Sequence, residues 1–156
     1  MTKQNKQRLS TVILLLLAAF YLYVEHSPDE SSGSTSRSTV TVATDNAHQL
    51  IHEYYTNKTS GKMVVVTATV HRILSDDTHE PRHQRFILSL NSGMTVLVAH
   101  NIDLAPRVSG LQIGDTVTVN GQYEWNDQGG VLHWTHHDPK GRRDGGQIEH
   151  NGKIYQ

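Results

Sequence analysis

From Lys62 onward the apolar and polar positions of the chain alternate with a period of two, the signature of half-buried strands. "KMVVVTATVHRIL" is rich in Val and Thr and predicts a long first strand. "QRFILSL" and "TVLVAH" flank "NSGM", a turn sequence, and predict a hairpin. In "LQIGDTVTVNGQYEW" the positions Val117, Val119, Gly121, Tyr123 and Trp125 alternate with Thr116, Thr118, Asn120, Gln122 and Glu124, which predicts one apolar and one wet face. "NDQGG" then turns into a fifth strand, "VLHWT". Near the end, "GQIEHNGKIYQ" predicts a last hairpin around Asn151-Gly152. Its Ile148, Ile154 and Tyr155 dock it on the body and bring His150 with it.

Before Lys62 the period is different. "TDNAHQLIHEYYTNK" places Ala47, Leu50, Ile51 and Tyr54 at helical spacing, with Thr44, Asp45 or Asn46 as N-cap. His48 and His52 are four apart on that helix and form a candidate metal pair. Five strands, a connection after the third, and the phrase Leu111-x-x-Gly114-Asp115-x-Val117-x-Val119-x-Gly121 resemble an OB-fold. The expected fold is mainly β: a small OB-like five-stranded barrel with one short N-terminal helix, preceded by a membrane anchor helix. An open β-roll is the alternative. The short 101–110 connection leaves little room for a helix there, so the helix before the first strand is expected to cap the barrel.

The N-terminus has no periodicity of either kind. Lys3, Lys6 and Arg8 precede an uncharged run from Thr11 to Val24, and no small-residue cleavage pattern follows it. This favours an uncleaved anchor over residues 9–24 with the basic flank in the cytoplasm. Residues 1–26 are then flank and anchor in a bacterial inner membrane. Residues 27–43 are a Ser/Thr-rich flexible linker, and residues 44–156 are a barrel domain on the periplasmic or outer side.

Composition narrows the chemistry. With 156 residues, net charge −1 and pI near 6.8, the chain lacks the overall basic charge of a salt-driven nucleic-acid binder. The absence of cysteine excludes disulfides, thiolate metal sites and a thiol nucleophile. Eleven histidines stand out beside two Phe and two Trp. Histidine ligates metals and titrates near neutrality.

Three segments bring polar groups to strand ends: Arg82 to Arg85, Ala99 to Arg107, and His133 to Arg143. The open end of the second and third strands should place His83 and Gln84 near His100 and Asn101. His100 continues the apolar face of Met94, Val96 and Val98, so it should be partly buried and need a partner. On a straight fifth strand His133 and His137 would lie about 13 Å apart, too far to share a metal ion. His136 and His137 would point to opposite faces. A metal site therefore needs a bend, which Asp138-Pro139 supplies, and help from His83 or His100.

Three accounts of these residues stay open. The plainest is a polar strand end. The second is a divalent metal, zinc foremost, held by some of His83, His100, His133, His136 and His137. The third is an anionic ligand met by Arg82, Gln84, Arg85, Asn101, Trp134 and Arg142, with Arg107 and Arg143 as further forks. Nucleic acid and envelope glycan are compatible partners, and Tyr123, Trp125 and Trp134 are the available stacking groups. The leading expectation is a membrane-tethered binding module. The alternative is a metal-dependent hydrolase, a phosphodiesterase or nuclease. In it His83, His136 or His137 acts as base or ligand, Asp138 orients an imidazole, and Arg85 or Arg142 stabilises developing charge.

"HWTHHDP" at 133–139, with "RHQRFIL" at 82–88, "VAHNIDLAPRV" at 98–108 and "GGVLHWTHHDPKGR" at 129–142, resembles a family of short exported bacterial proteins of unknown function. The resemblance spans roughly residues 62–156 and implies export, but no activity. The family tail more often reads Gly-Arg-His and then Gly-Trp-Ile, so Arg143 and Gln147 depart from it. An essential ligand at 143 and an aromatic contact at 147 are therefore absent here.

Overall fold

A computed structural model describes residues 35–156, with side chains from residue 44 onward. The expected anchor and the first part of the expected linker lie outside the described residues. The helix, α1 (Thr35–Thr56), starts well before the expected cap at 44–46, and so takes in the second part of that linker. Asp45 is not a cap. Its carboxylate accepts from the side-chain amide of Asn91 in the second strand's hairpin turn.

Seven strands follow: β1 (Lys62–Ile73), β2 (His83–Ser89), β3 (Thr95–Asn101), β4 (Thr116–Glu124), β5 (Val131–His133), β6 (Gln147–His150) and β7 (Lys153–Tyr155). The long β1 pairs antiparallel with β4 over Lys62–Thr69 and with β2 over Thr69–Ile73, its register shifting between Val70 and Arg72. β2 and β3 form the expected hairpin. β3 pairs parallel with β5, and β5 pairs antiparallel with β4. The order β1-β2-β3-β5-β4, closed by β1–β4, is a five-stranded OB-like barrel. The β6–β7 hairpin extends the sheet from the other side of β4, pairing along Val117–Asn120.

Period-two alternation fills the barrel. Phe86, Leu88, Val96, Val98, Val117, Val119, Tyr123 and Leu132 are buried, and Ile148 and Tyr155 join them from the C-terminal hairpin. Burying each large apolar side chain contributes about 1.5–3 kcal/mol. α1 caps one end of the barrel: Ile51 is fully buried in the core, with Ala47, Leu50 and Tyr54 packed beside it. His48 fixes the helix. Its Nδ1 accepts from the Asn91 N–H (3.0 Å) and its Nε2 donates to the Thr67 carbonyl (2.9 Å).

The fifth strand departs from expectation. It stops at His133 because Trp134 takes a left-handed backbone (φ 53°), so the strict face alternation through His137 does not hold. The bend comes at Trp134, before Asp138-Pro139. It is held by Gly146, which packs so closely that a Cβ there would lie 2.1 Å from the Trp134 carbonyl oxygen.

Candidate functional site

The polar segments meet at the end of the barrel where the β2–β3 hairpin opens. The register sets His83 opposite Asn101 and Gln84 opposite His100, as expected. Gln84 and His100 face inward, are essentially inaccessible, and are fully engaged. The Gln84 amide donates to the Val108 carbonyl (3.1 Å) and accepts from its N–H (2.8 Å). His100 Nε2 donates to the Pro106 carbonyl (3.0 Å). Its Nδ1 therefore carries the lone pair and accepts from the Thr135 hydroxyl (2.8 Å). Burial pushes the His100 imidazole below its ordinary value. The Pro106 and Thr135 hydrogen bonds oppose this, and nearby His136 and His83 add to it. Both residues clamp the 102–110 connection across the barrel end, and neither presents a free atom to a ligand.

The outer rim is a set of ion pairs. Arg82 donates from its backbone N–H (2.7 Å) and its Nε (2.8 Å) to Asp103, and Arg107 Nε meets Asp76 at 2.9 Å. Arg85 Nε lies 3.1 Å from Asp77 Oδ1, and the same guanidinium donates twice to the Ser75 carbonyl. Asn101 accepts from the Asp103 N–H (2.9 Å). The other oxygen of Asp77 accepts from His83 Nδ1 (2.9 Å), and His83 Nε2 has no hydrogen-bond partner among the described residues. Asp76, Asp77 and Asp103 were missed in the sequence. The acidic "SDDTHE" one residue before "RHQR" was the available signal for the first two, and Asp103 stood inside "AHNIDLAPR".

The third segment is the Trp134–Asp144 loop. Thr135 and His136 are buried, and His137 is exposed. His136 Nδ1 donates to the His137 carbonyl (2.7 Å), and its Nε2 has no hydrogen-bond partner among the described residues. Asp138 accepts from the N–H groups of Lys140 (3.0 Å), Arg142 (2.7 Å) and Arg143 (3.2 Å), and folds "DPKGRR" into a tight turn. Those backbone donors hold its carboxyl below the usual carboxylate range. Asp138 thus shapes the loop, and among the described residues no imidazole is hydrogen-bonded to it. The Arg143 guanidinium lies 3.5 Å from the Trp134 ring centroid, and the His136 ring is 4.7 Å away on the same indole. Arg142 and Lys140 form no side-chain ion pair among the described residues, although Asp138 still acts on Arg142 at longer range.

His133 stands apart on the outer face of β5. Its Nε2 is buried without a hydrogen bond, and 3.6 Å to Glu124 Oε1 is too long to count as one. Among the described residues no three His, Cys, Asp or Glu side chains group to hold a metal ion. The three stacking groups are also occupied. Tyr123 is buried against Tyr54, Trp125 lies under Lys58 and donates to the Tyr55 carbonyl, and Trp134 is flanked as described.

A family model described as "Protein of unknown function (DUF3465)" matches residues 34–156. The chain belongs to this family. The matched span takes in all of α1, the barrel and the C-terminal hairpin, so the DUF3465 match covers every polar segment described above. A comparison with curated proteins finds no match.

Proposed function

We propose that this DUF3465 chain is a membrane-tethered binding module of the bacterial envelope that takes an anionic ligand on its Trp134–Arg143 loop. One observation carries the reading. Arg82, Arg85 and Arg107 are each neutralised by a carboxylate, whereas Lys140, Arg142 and Arg143 are exposed on one loop with no ion pair among the described residues. Arg143 is held over the Trp134 ring, so part of the ordering cost of its guanidinium is met before a ligand arrives. The occupied rings of Tyr123, Trp125 and Trp134 favour recognition of oxyanions over recognition by stacking. A phosphorylated or acidic glycan fits better than a single-stranded nucleic acid.

The test is titration of the chain carrying Trp125→Phe, which leaves Trp134 as the only indole. Inorganic polyphosphate, an acidic oligosaccharide and an oligonucleotide serve as probes, followed by fluorescence at two salt concentrations. Binding should weaken with salt, and Arg142→Ala with Arg143→Ala should weaken it roughly tenfold or more, since each charge-assisted contact contributes about 1.5–3 kcal/mol. Unchanged binding in the double variant would remove the loop from the site.

The oriented Asp77–His83 pair supports the second reading, a hydrolase, because a carboxylate on Nδ1 leaves Nε2 as a positioned base. Under that reading a generic phosphodiester is hydrolysed by the chain and turnover is lost in His83→Gln. No turnover in the wild type sinks it.

A further inference from the structure

At the opposite end of the barrel, α1 and the β2–β3 turn bring an imidazole and a thioether together. His52 Nδ1 lies 2.9 Å from Met94 Sδ. Three α1 residues on one helical face, Asp45, His48 and His52, each meet the turn at Asn91 or Met94, so the scaffold sets this pair opposite one another. His52 is exposed and Met94 is half-buried. Met94 also lines an open cavity of about 320 Å³, together with Tyr55, Asp127 and Gln128.

We infer that His52 and Met94 form a site for a soft monovalent cation, cuprous copper, beside the cavity that Met94 lines. Thioether and imidazole together suit Cu(I), whereas Zn(II) and harder ions prefer thiolate, extra imidazole or oxygen. In a chain without cysteine, methionine and histidine are the side chains able to supply such a pair. The geometry needs little adjustment. Bonds of about 2.1 Å to nitrogen and 2.3 Å to sulfur at a tetrahedral angle span roughly 3.6 Å, so the pair opens by less than about 1 Å. The imidazole exchanges tautomer as the ion binds. The proton now shared with the sulfur leaves Nδ1 and Nε2 takes one from solvent, so no net proton is released. Because His52 is exposed, further coordination positions are open to water or to an incoming ligand. This site is independent of the anion loop.

The experiment is anaerobic titration of the full chain with Cu(I) against bicinchoninate as competing chelator, with the methionine methyl groups carbon-13 labelled. One equivalent should bind and shift the Met94 methyl resonance. Met94→Leu and His52→Gln should each lower affinity at least roughly tenfold. Leucine conserves the volume of methionine, so the fold tolerates the first variant. Three results overturn the inference: no competition with the chelator, binding that leaves the Met94 methyl unmoved, or equal affinity in Met94→Leu.

Discussion

Replacing Gln84 with leucine separates a structural clamp from a ligand contact. Gln84 is 1% exposed, and both ends of its amide are bonded to Val108, itself inaccessible. Leucine would leave a buried N–H and a buried carbonyl without partners, each costing about 1–3 kcal/mol. Burial of the new isobutyl group returns part of that, since Gln and Leu differ little in volume. The net loss is about 2–3 kcal/mol. With a urea m-value of about 1–3 kcal/mol/M, the unfolding midpoint falls by roughly 0.7–3 M while m itself stays unchanged. The assay is urea denaturation followed by far-UV circular dichroism. A loss below about 0.5 kcal/mol, the range of an ordinary surface substitution, would refute the clamp. If anion affinity fell instead, Gln84 would return to the binding site.

Three further outcomes are expected. His100 has a folded pKa below the unfolded value of about 6.5 because it is buried neutral. Its contribution is therefore fully present above that value and is lost as pH falls from there through the folded pKa; urea midpoints between pH 5 and 7.5 should fall on acidification in the wild type and flatten in His100→Gln, and parallel slopes would exonerate the imidazole. Asp115 is held below its usual range by the Gln112 N–H and by His150, whose Nε2 sits 2.8 Å away, so it stabilises the fold above the unfolded value and stops doing so as pH drops through its own pKa. Asp115→Asn should lower the thermal midpoint near neutrality, with a deficit that shrinks in acid; a deficit independent of pH would point to packing. Gly130→Ala should destabilise by roughly 2–5 kcal/mol, because φ is +89° and the new Cβ would lie 2.3 Å from the Tyr123 ring; near-neutral denaturation data would show that this turn can relax.

Much of the barrel is legible one element at a time. Side chains on a pleated strand alternate in orientation, so burial writes period two into β1 to β4, and Asn-Gly marks the last turn before any pairing is known. His100 could be assigned to the interior in the same way. The helix start was not legible, because "TSRSTVTVA" has a linker's composition and yet continues α1. At the rim, residue types were readable and roles were not. An arginine in a sequence looks the same whether or not a carboxylate sits beside it; Arg85 meets Asp77 in the connection just before its own strand, whereas Arg82 and Arg107 meet Asp103 and Asp76, which lie 21 and 31 positions away. Thr135 reaches His100, and His136 turns inward, because Trp134 takes a left-handed backbone and breaks the alternation.

The sequence by itself determined the strands, their inward faces, the barrel class and the supply of histidine and arginine, since local periodicity and turn chemistry carry that information. The tertiary structure alone decided which of those groups are consumed as clamps and ion pairs and which stay free. That depends on contacts between residues tens of positions apart, and such contacts leave no period in the chain.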